Sequence, residues 1–386
     1  MKILAKRDAA MKRREFNRNA LAGAGGAMLA SLFTDATALR ASAREIESGN
    51  PLVPVDDATA GSLTDVEGLK VGHFTETKRT TGCTVVIAEH GAVAGVDVRG
   101  GAPGTRETDL LNPVNSVQQV FAVVISGGSA FGLDTASGVM RYLDEKNIGY
   151  KLGPLNVPIV PAAILFDLGV GDPKIRPTAE SGYQACIAAT SGPVAEGSVG
   201  AGAGATIGKF FGPQWAMKAG LGTCSIRVGD TGVVVGAMAA VNAAGDIYDP
   251  ANGKILAGAR SPRGEGFLNA MEAILGGYAV VAPAPGTNTT LGVVATNATL
   301  NKDEATKMAQ MAQDGLARTI NPSHTPFDGD TIFSLATGTL KAKVNVGAIG
   351  AIAAVAVSRA IVRAITQASG IPGYPSYADI RAGKQK

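Results

Sequence analysis

Residues 286–300 read GTNTTLGVVATNATL, and the reading of this stretch decides the fold. LGVVAT, 291–296, is apolar and strand-like, yet it is entered through Asn288-Thr289-Thr290. Asn and Thr are ordinary turn residues, so one reading of the entry is a turn. The other is a peptide bond built to break. Opening the Asn288-Thr289 bond would leave Thr289 as a new N-terminus carrying hydroxyl and amine together. A threonine hydroxyl is a weak nucleophile until a base removes its proton. An N-terminal threonine brings that base with it, because an α-amino group titrates at roughly 7.7–8.0.

Downstream, the strand runs to about Thr296, and Asn301 to Glu304 forms a capping-box pattern ahead of a 3.6-residue period through Met308, Ala312 and Leu316. A last helix, roughly 349–368, is apolar on most faces apart from Arg359 and Arg363, which predicts burial between layers. Upstream, LKVGH, CTVVIAE, AVAGVDV and FAVVIS are β-branched runs of strand length bounded by glycine. A helical pattern follows Gly128, with Leu133, Val139, Met140 and Leu143 on one broad face. Strands return in CSIRV, GVVVGAMAAVN and GDIYD, then a mobile-looking stretch at 248–267 and a helix around FLNAMEAIL. Strands and helices come in blocks rather than in βαβα alternation, which predicts an α+β layered sandwich.

With 46% hydrophobic and 17% charged residues over 386 positions, most of the chain is expected to pack. The net charge of +3 is concentrated at one end. Residues 1–43 hold eight Lys/Arg against three acids, leaving 27 basic and 29 acidic residues in the rest. No basic stripe stands beside aromatic residues, so nucleic-acid binding is not expected. Cys83, Cys186 and Cys224 are odd in number and form no CxxC, and they read as small buried apolar residues, with one disulfide open if the chain is exported. His73, His90 and His324 lack metal-ligand spacing, and no metal or cofactor is expected.

The basic start has the form of a leader. Arg13-Arg14 and Phe16 precede ALAGAGGAMLASLF, and Ala41-Ser42-Ala43 or Ala36-Thr37-Ala38 offers a small-residue cleavage site. Twin arginines with modest hydrophobicity resemble a Tat signal, which predicts a periplasmic or secreted protein with no membrane association after leader removal. Met11 offers an alternative start. The expected organisation is a leader at 1–43, a loose arm at 44–64, and a single domain at 65–386.

Two glycine-rich loops fail the motifs they suggest. In GAGAGATIGK, 200–209, Ala203 stands where a Walker loop needs glycine, and Phe210 where it needs Ser or Thr. In ISGGSAFGLD a nucleophile elbow would need glycine where Phe131 stands, so Ser129 reads as a helix cap. The turn at Gly127-Gly128, between strand and helix, is expected to expose backbone N–H groups able to hold a phosphate, or an oxyanion in acyl transfer.

Activating Thr289 calls for a lysine, an amide and paired acids. Lys209, Asn242, Asp328 and Asp330 are the candidates, each with an ordinary alternative as a solvent lysine or a turn residue. GLKVGHFTE, TGCTVV, DVRGGAPGTRETDLL, ISGGSAFGLD, VPIVPAAILFDL, GAGAGATIGK, NTTLGVVATNA and FDGDTIF occur in this order. Together, over about residues 65–365, they resemble the DmpA family of self-cleaving aminopeptidases, which includes β-peptidyl aminopeptidases and nylon-oligomer hydrolases. The resemblance implies an αββα sandwich like that of the N-terminal-nucleophile hydrolases. It implies a precursor cut into an α chain ending at Asn288 and a β chain of residues 289–386, assembled as a tetramer of αβ heterodimers. It makes Thr289 the nucleophile, Asn242 an oxyanion holder, Lys209 a supporting group, and Asp328 and Asp330 the groups that orient the threonine amine.

One position departs from the pattern. Some relatives carry tyrosine in the GGSAxGL turn, and Phe131 cannot donate a hydrogen bond. Asp134, one turn on, is a candidate for a substrate ammonium group or an ordinary surface acid. The leading expectation is a threonine hydrolase that removes N-terminal residues from short peptides. The alternatives are an amidase on ω-amino-acid oligomers or pantetheine-like amides, an ornithine-acetyltransferase-like acyl transferase, and a non-enzymatic periplasmic scaffold.

Overall fold

A computed structural model describes residues 61–264, 266–278 and 288–383. The expected leader at 1–43 and residues 44–60 of the expected arm lie outside the described residues. Packing begins slightly before Val66, where the strand pattern starts. Ser62 and Leu63 are buried, and the Leu63 N–H donates to Thr223 Oγ1 at 2.8 Å.

The framework is a nine-stranded sheet. Its strands are β1 (Lys70–Thr75), β2 (Gly82–Val98), β3 (Thr105–Arg106), β4 (Gln119–Ser126), β5 (Ala162–Ile164), β6 (Leu221–Arg227), β7 (Val234–Asn242), β8 (Thr289–Ala298) and β9 (Thr331–Leu340). The order is β6-β7-β8-β9-β2-β4-β5-β3, with β1 also on β2. CTVVIAE and AVAGVDV, expected as two strands, form the single 17-residue β2. The glycine between them makes no turn. Gly91, at φ +77°, is taken up where the register with β4 shifts between Ile87 and Ala92, the irregularity that bends a strand.

β2 pairs with β1 through its first half, with β4 through its first half and again at Ala92 and Val93, and with β9 from Val93 to Val98. It therefore carries the sheet from one layer into the other. Helices α1 (Thr135–Glu145) and α2 (Ala179–Ile187) cover β1, β4 and the start of β2. Helices α3 (Lys302–Thr319) and α4 (Val346–Thr366) cover β6, β7, β9 and the later part of β2. Strand alternation assigns the faces. Val85, Ile87, Ala122 and Val124 join Ala136, Val139 and Leu143 under α1, whereas Val86, Val123 and Ile125 join the larger core with Val241, Leu291 and Phe333. The result is the expected αββα layering of an α+β fold.

Local expectations fare differently. The α3 capping box forms as read, with Asn301 Oδ1 accepting the Glu304 N–H at 2.9 Å and Glu304 returning to the Asn301 N–H. Among the described residues α4 is the one helix long and apolar enough to cross a membrane, yet 67% of its most apolar window is buried. It lies in an outer layer against α3 and the sheet rather than between layers. The pattern after Gly128 opens as a 3-10 turn over Ser129–Asp134 before α1. Ser129 is not a cap. It adopts φ +55° and its side chain makes no capping bond. The stretch at 248–267 holds a short strand, Ile255–Ala257, paired with Asp246–Tyr248. The three cysteines are buried and free.

Removing the α3 cap with Asn301→Ala should cost about 1 kcal/mol, read as a lower denaturant midpoint with an unchanged transition slope.

Candidate active site

β8 starts at Thr289, and its register places Thr289 opposite Asn242, the last residue of β7. On the other side β8 runs parallel to β9, pairing Leu291 with Thr331, and Asn288 bridges Asp328. The Asn288-Thr289 peptide is thus held between the end of one strand and the FDGD turn before another. Asn288, Thr289, Thr290, Asn242, Asp328 and Asp330 are all buried.

The Asn288 carbonyl is the focus. It accepts the Thr289 hydroxyl and also the Gly329 N–H, the latter at 2.9 Å. Gly329, between the two acids, has room for no side chain, since a Cβ there would lie 2.7 Å from Thr289 Oγ1 and 3.0 Å from the Ala102 carbonyl. Asp330 Oδ1 accepts the Thr290 N–H at 2.7 Å, and Asp328 Oδ2 accepts the Thr325 N–H at 2.8 Å. Residues 99–102 wrap this turn from outside, with Arg99 and Gly100 N–H on the Asp330 carbonyl and Ala102 N–H on that of Asp328.

Lys209 approaches from the glycine loop. Its Nζ donates to the Asn242 carbonyl and to Asn242 Oδ1, both at 2.9 Å. Burial lowers its pKa to about 7 against the opposing charges of Asp328 and Asp167. A neutral amine still keeps two N–H bonds, enough for both Asn242 contacts. Asp328 moves the other way, raised first by burial and then by the charge of Asp330. Asn242 is fixed at both ends of its amide, Oδ1 by the Thr206 N–H at 3.0 Å and Nδ2 on the Phe166 carbonyl at 2.9 Å.

The structure thus brings Asn288, Thr289, Lys209, Asn242, Asp328 and Asp330 together. The Gly127-Gly128 turn corrects an expectation, because its N–H groups are already taken. Gly127 N–H donates to the Gly82 carbonyl at 2.9 Å, Gly128 N–H to Asp167 Oδ1 at 2.9 Å, and Ser129 N–H to the Leu165 carbonyl at 3.0 Å. Phe131 is 58% exposed, with the Arg176 guanidinium 3.7 Å above its ring centre. Asp134 accepts the Ala179 N–H at 2.8 Å, which commits its carboxylate to the start of α2.

Sequence reasoning missed Gly329, Arg79, Asp167 and Lys218. Gly329 was legible only as the Asp-Gly of a turn. Arg79 and Asp167 form an ion pair at 2.9 Å with both side chains fully buried. Arg79 also donates to the carbonyls of Val170, Ile175 and Asp167, and Asp167 Oδ2 accepts from Thr81 at 2.6 Å. This pair locks the glycine turn and the residue next to Phe166, whose carbonyl holds Asn242. Lys218 is fully buried under the glycine loop, donating to the Gly202 and Ala219 carbonyls. No local pattern announces the Arg79 and Asp167 pair, whose partners lie far away in sequence, or a lysine buried on backbone carbonyls.

Peptidase family S58 matches residues 61–377. The chain belongs to that family. This S58 peptidase is 42% identical over 356 residues to an uncharacterized aminopeptidase of Mycobacterium leprae, covering 84% of this chain and 96% of the relative. A 6-aminohexanoate-oligomer endohydrolase of Kocuria is 29% identical over 317 residues, 78% and 85% of the two chains. In fold it is similar to a β-aminopeptidase from Burkholderia, at TM-score 0.63 and 22% identity over 84% and 93% of the chains. It is similar too to the L-aminopeptidase D-Ala-esterase/amidase of Ochrobactrum anthropi, a variant of the Ntn-hydrolase fold, at TM-score 0.62 and 19% identity over 86% and 96%. The S58 peptidase is accordingly a hydrolase of an aminopeptidase family.

Arg79→Met should leave Asp167 buried and unpaired, at a cost of about 3–5 kcal/mol, measured as a fall in melting temperature. Arg79→Met with Asp167→Leu should recover part of that loss.

Proposed function

We propose that the chain is a self-cleaving N-terminal-nucleophile hydrolase, cut between Asn288 and Thr289, that removes N-terminal residues from short peptides or amides through a threonyl acyl-enzyme. The observation that carries the reading is the Asn288 carbonyl, approached by the Thr289 hydroxyl and held by the Gly329 N–H at 2.9 Å. In the first reaction Thr289 Oγ1 gives up its proton to the neutral Lys209 amine and bonds to the Asn288 carbonyl carbon. The Gly329 N–H stabilises the oxyanion, the C–N bond breaks, and the Thr289 nitrogen takes a proton. Water then hydrolyses the ester, leaving a carboxylate on Asn288 and a free amine on Thr289.

In turnover, the new amine takes the proton of its own hydroxyl as that oxygen attacks a substrate amide. The leaving amine departs protonated, and water releases the acyl group. Asn242, cross-strand from Thr289, polarises the substrate carbonyl. Lys209 supplies a neutral amine near neutral pH, and Asp328 and Asp330 orient the threonine amine. The aminopeptidase relatives at 42–43% identity favour peptide substrates over the 6-aminohexanoate oligomers named for a relative at 29%. Export behind Arg13-Arg14 and assembly as a tetramer of αβ heterodimers complete the proposal.

N-terminal sequencing of purified protein should find a chain beginning at Thr289 in wild type and in Thr289→Ser, and none in Thr289→Ala. A folded wild type that stays uncut would sink the reading. Faster acyl transfer to added ornithine than to water would replace hydrolysis with transfer. With Lys209 at about 7, protonation below that pH removes the neutral amine. The processing rate should therefore fall about tenfold per pH unit on the acid side, and Lys209→Arg should be slow at every pH.

A further inference from the structure

We propose that His324 is a positioning residue: its Nδ1–H fixes the Asp330 carboxylate and, through it, the start of the nucleophile strand. The inference rests on the Thr289 reading above. His324 and Thr325 together cradle both acids. The His324 backbone N–H and Nδ1 meet Asp330 Oδ2 at 3.0 and 2.9 Å, and the next residue, Thr325, gives its N–H to Asp328 Oδ2 at 2.8 Å. An ionised carboxylate only accepts, so the partner assigns the proton to Nδ1. The other oxygen of Asp330 holds the Thr290 N–H at 2.7 Å, one residue from the nucleophile.

Nothing else about the position calls for histidine. Its backbone lies in the left-handed region at φ +56°, which glycine adopts freely and which asparagine and aspartate adopt as readily as histidine, so the backbone alone does not select histidine. Its Nε2 is buried with no hydrogen-bond partner among the described residues, a site where a packing residue would be apolar. The Nδ1–H is the feature that offsets the buried, unpartnered Nε2. Without the Nδ1–H the carboxylate keeps one backbone donor on each oxygen, His324 N–H on Oδ2 and Thr290 N–H on Oδ1, and loses the side-chain bond that fixes its plane.

Three substitutions test this. His324→Gly keeps the backbone and removes the donor. His324→Asn tolerates the left-handed backbone and puts an amide N–H where Nδ1 stood. His324→Gln carries its amide one bond too far. Self-processing rate, kcat and KM on an aminoacyl anilide, and melting temperature are measured for each beside wild type. For a hydrogen bond to a charged group, His324→Gly should lower kcat and processing about tenfold to a hundredfold, with KM changed less than about twofold. Asn should recover most of the loss and Gln should not. Wild-type rates in His324→Gly would overturn the proposal. So would equal rates in Asn and Gln, a comparison that decides the matter if the glycine variant fails to fold. An uncut, inactive wild type would instead remove the Thr289 reading itself.

Discussion

The parallel pairing of β8 with β9 is the constraint on which the site depends. It sets Leu291 beside Thr331, and everything N-terminal to those two residues follows from that register. Asn288 falls beside Asp328, the Gly329 N–H reaches the Asn288 carbonyl, and Asp330 reaches the Thr290 N–H. A slip of one residue would turn every side chain of β8 to the other face. All ten residues of β8 and all nine of β7 are buried, so a slipped register would bury the wrong face of each and is strongly disfavoured. The two strands that carry Thr289 and Asn242 are thus both held firmly in register.

A second, purely electrostatic frame lies behind the first. The Arg79 and Asp167 pair is fully buried, and a buried pair gains stability only when further hydrogen bonds satisfy its remaining atoms. Here they do, and the bonds have a structural product. Asp167 holds the Gly128 N–H, while the carbonyl of its neighbour Phe166 holds the Asn242 amide. The glycine turn is therefore a brace for Asn242 rather than an anion cradle. Its N–H groups are used to position a side-chain amide, and the donor to the Asn288 carbonyl comes from Gly329.

Charge at the site is graded by burial. Lys209 is brought down to about 7 and Asp328 is raised, each chiefly by removal from water. Their mutual attraction opposes both shifts but does not cancel them. A lysine brought down to about 7 by burial, with a carboxyl nearby raised above its ordinary value, is the kind of perturbed pair that clusters at functional sites. A solvent-exposed lysine beside two ordinary aspartates would instead stay fully ionised.

Much of this is legible in the sequence. The strand LGVVAT, the Asn301 to Glu304 capping box and the apolar α4 are local patterns, and local patterns report local structure. The eight ordered motifs implied the αββα sandwich and named Lys209, Asn242, Thr289, Asp328 and Asp330 as a set. Other features were decided by tertiary structure alone. CTVVIAE and AVAGVDV fused into one strand because β4 pairs with β2 on both sides of Gly91 and β9 pairs with it from Val93 onward. The Gly127-Gly128 N–H groups were lost to Gly82 and Asp167, partners 45 and 39 residues away in the chain. The sequence by itself determined which residue types were present and the period of each element. Only the folded chain decided which N–H met which oxygen, because those partners come from strands and loops far apart in sequence and burial makes each unpaired polar group costly.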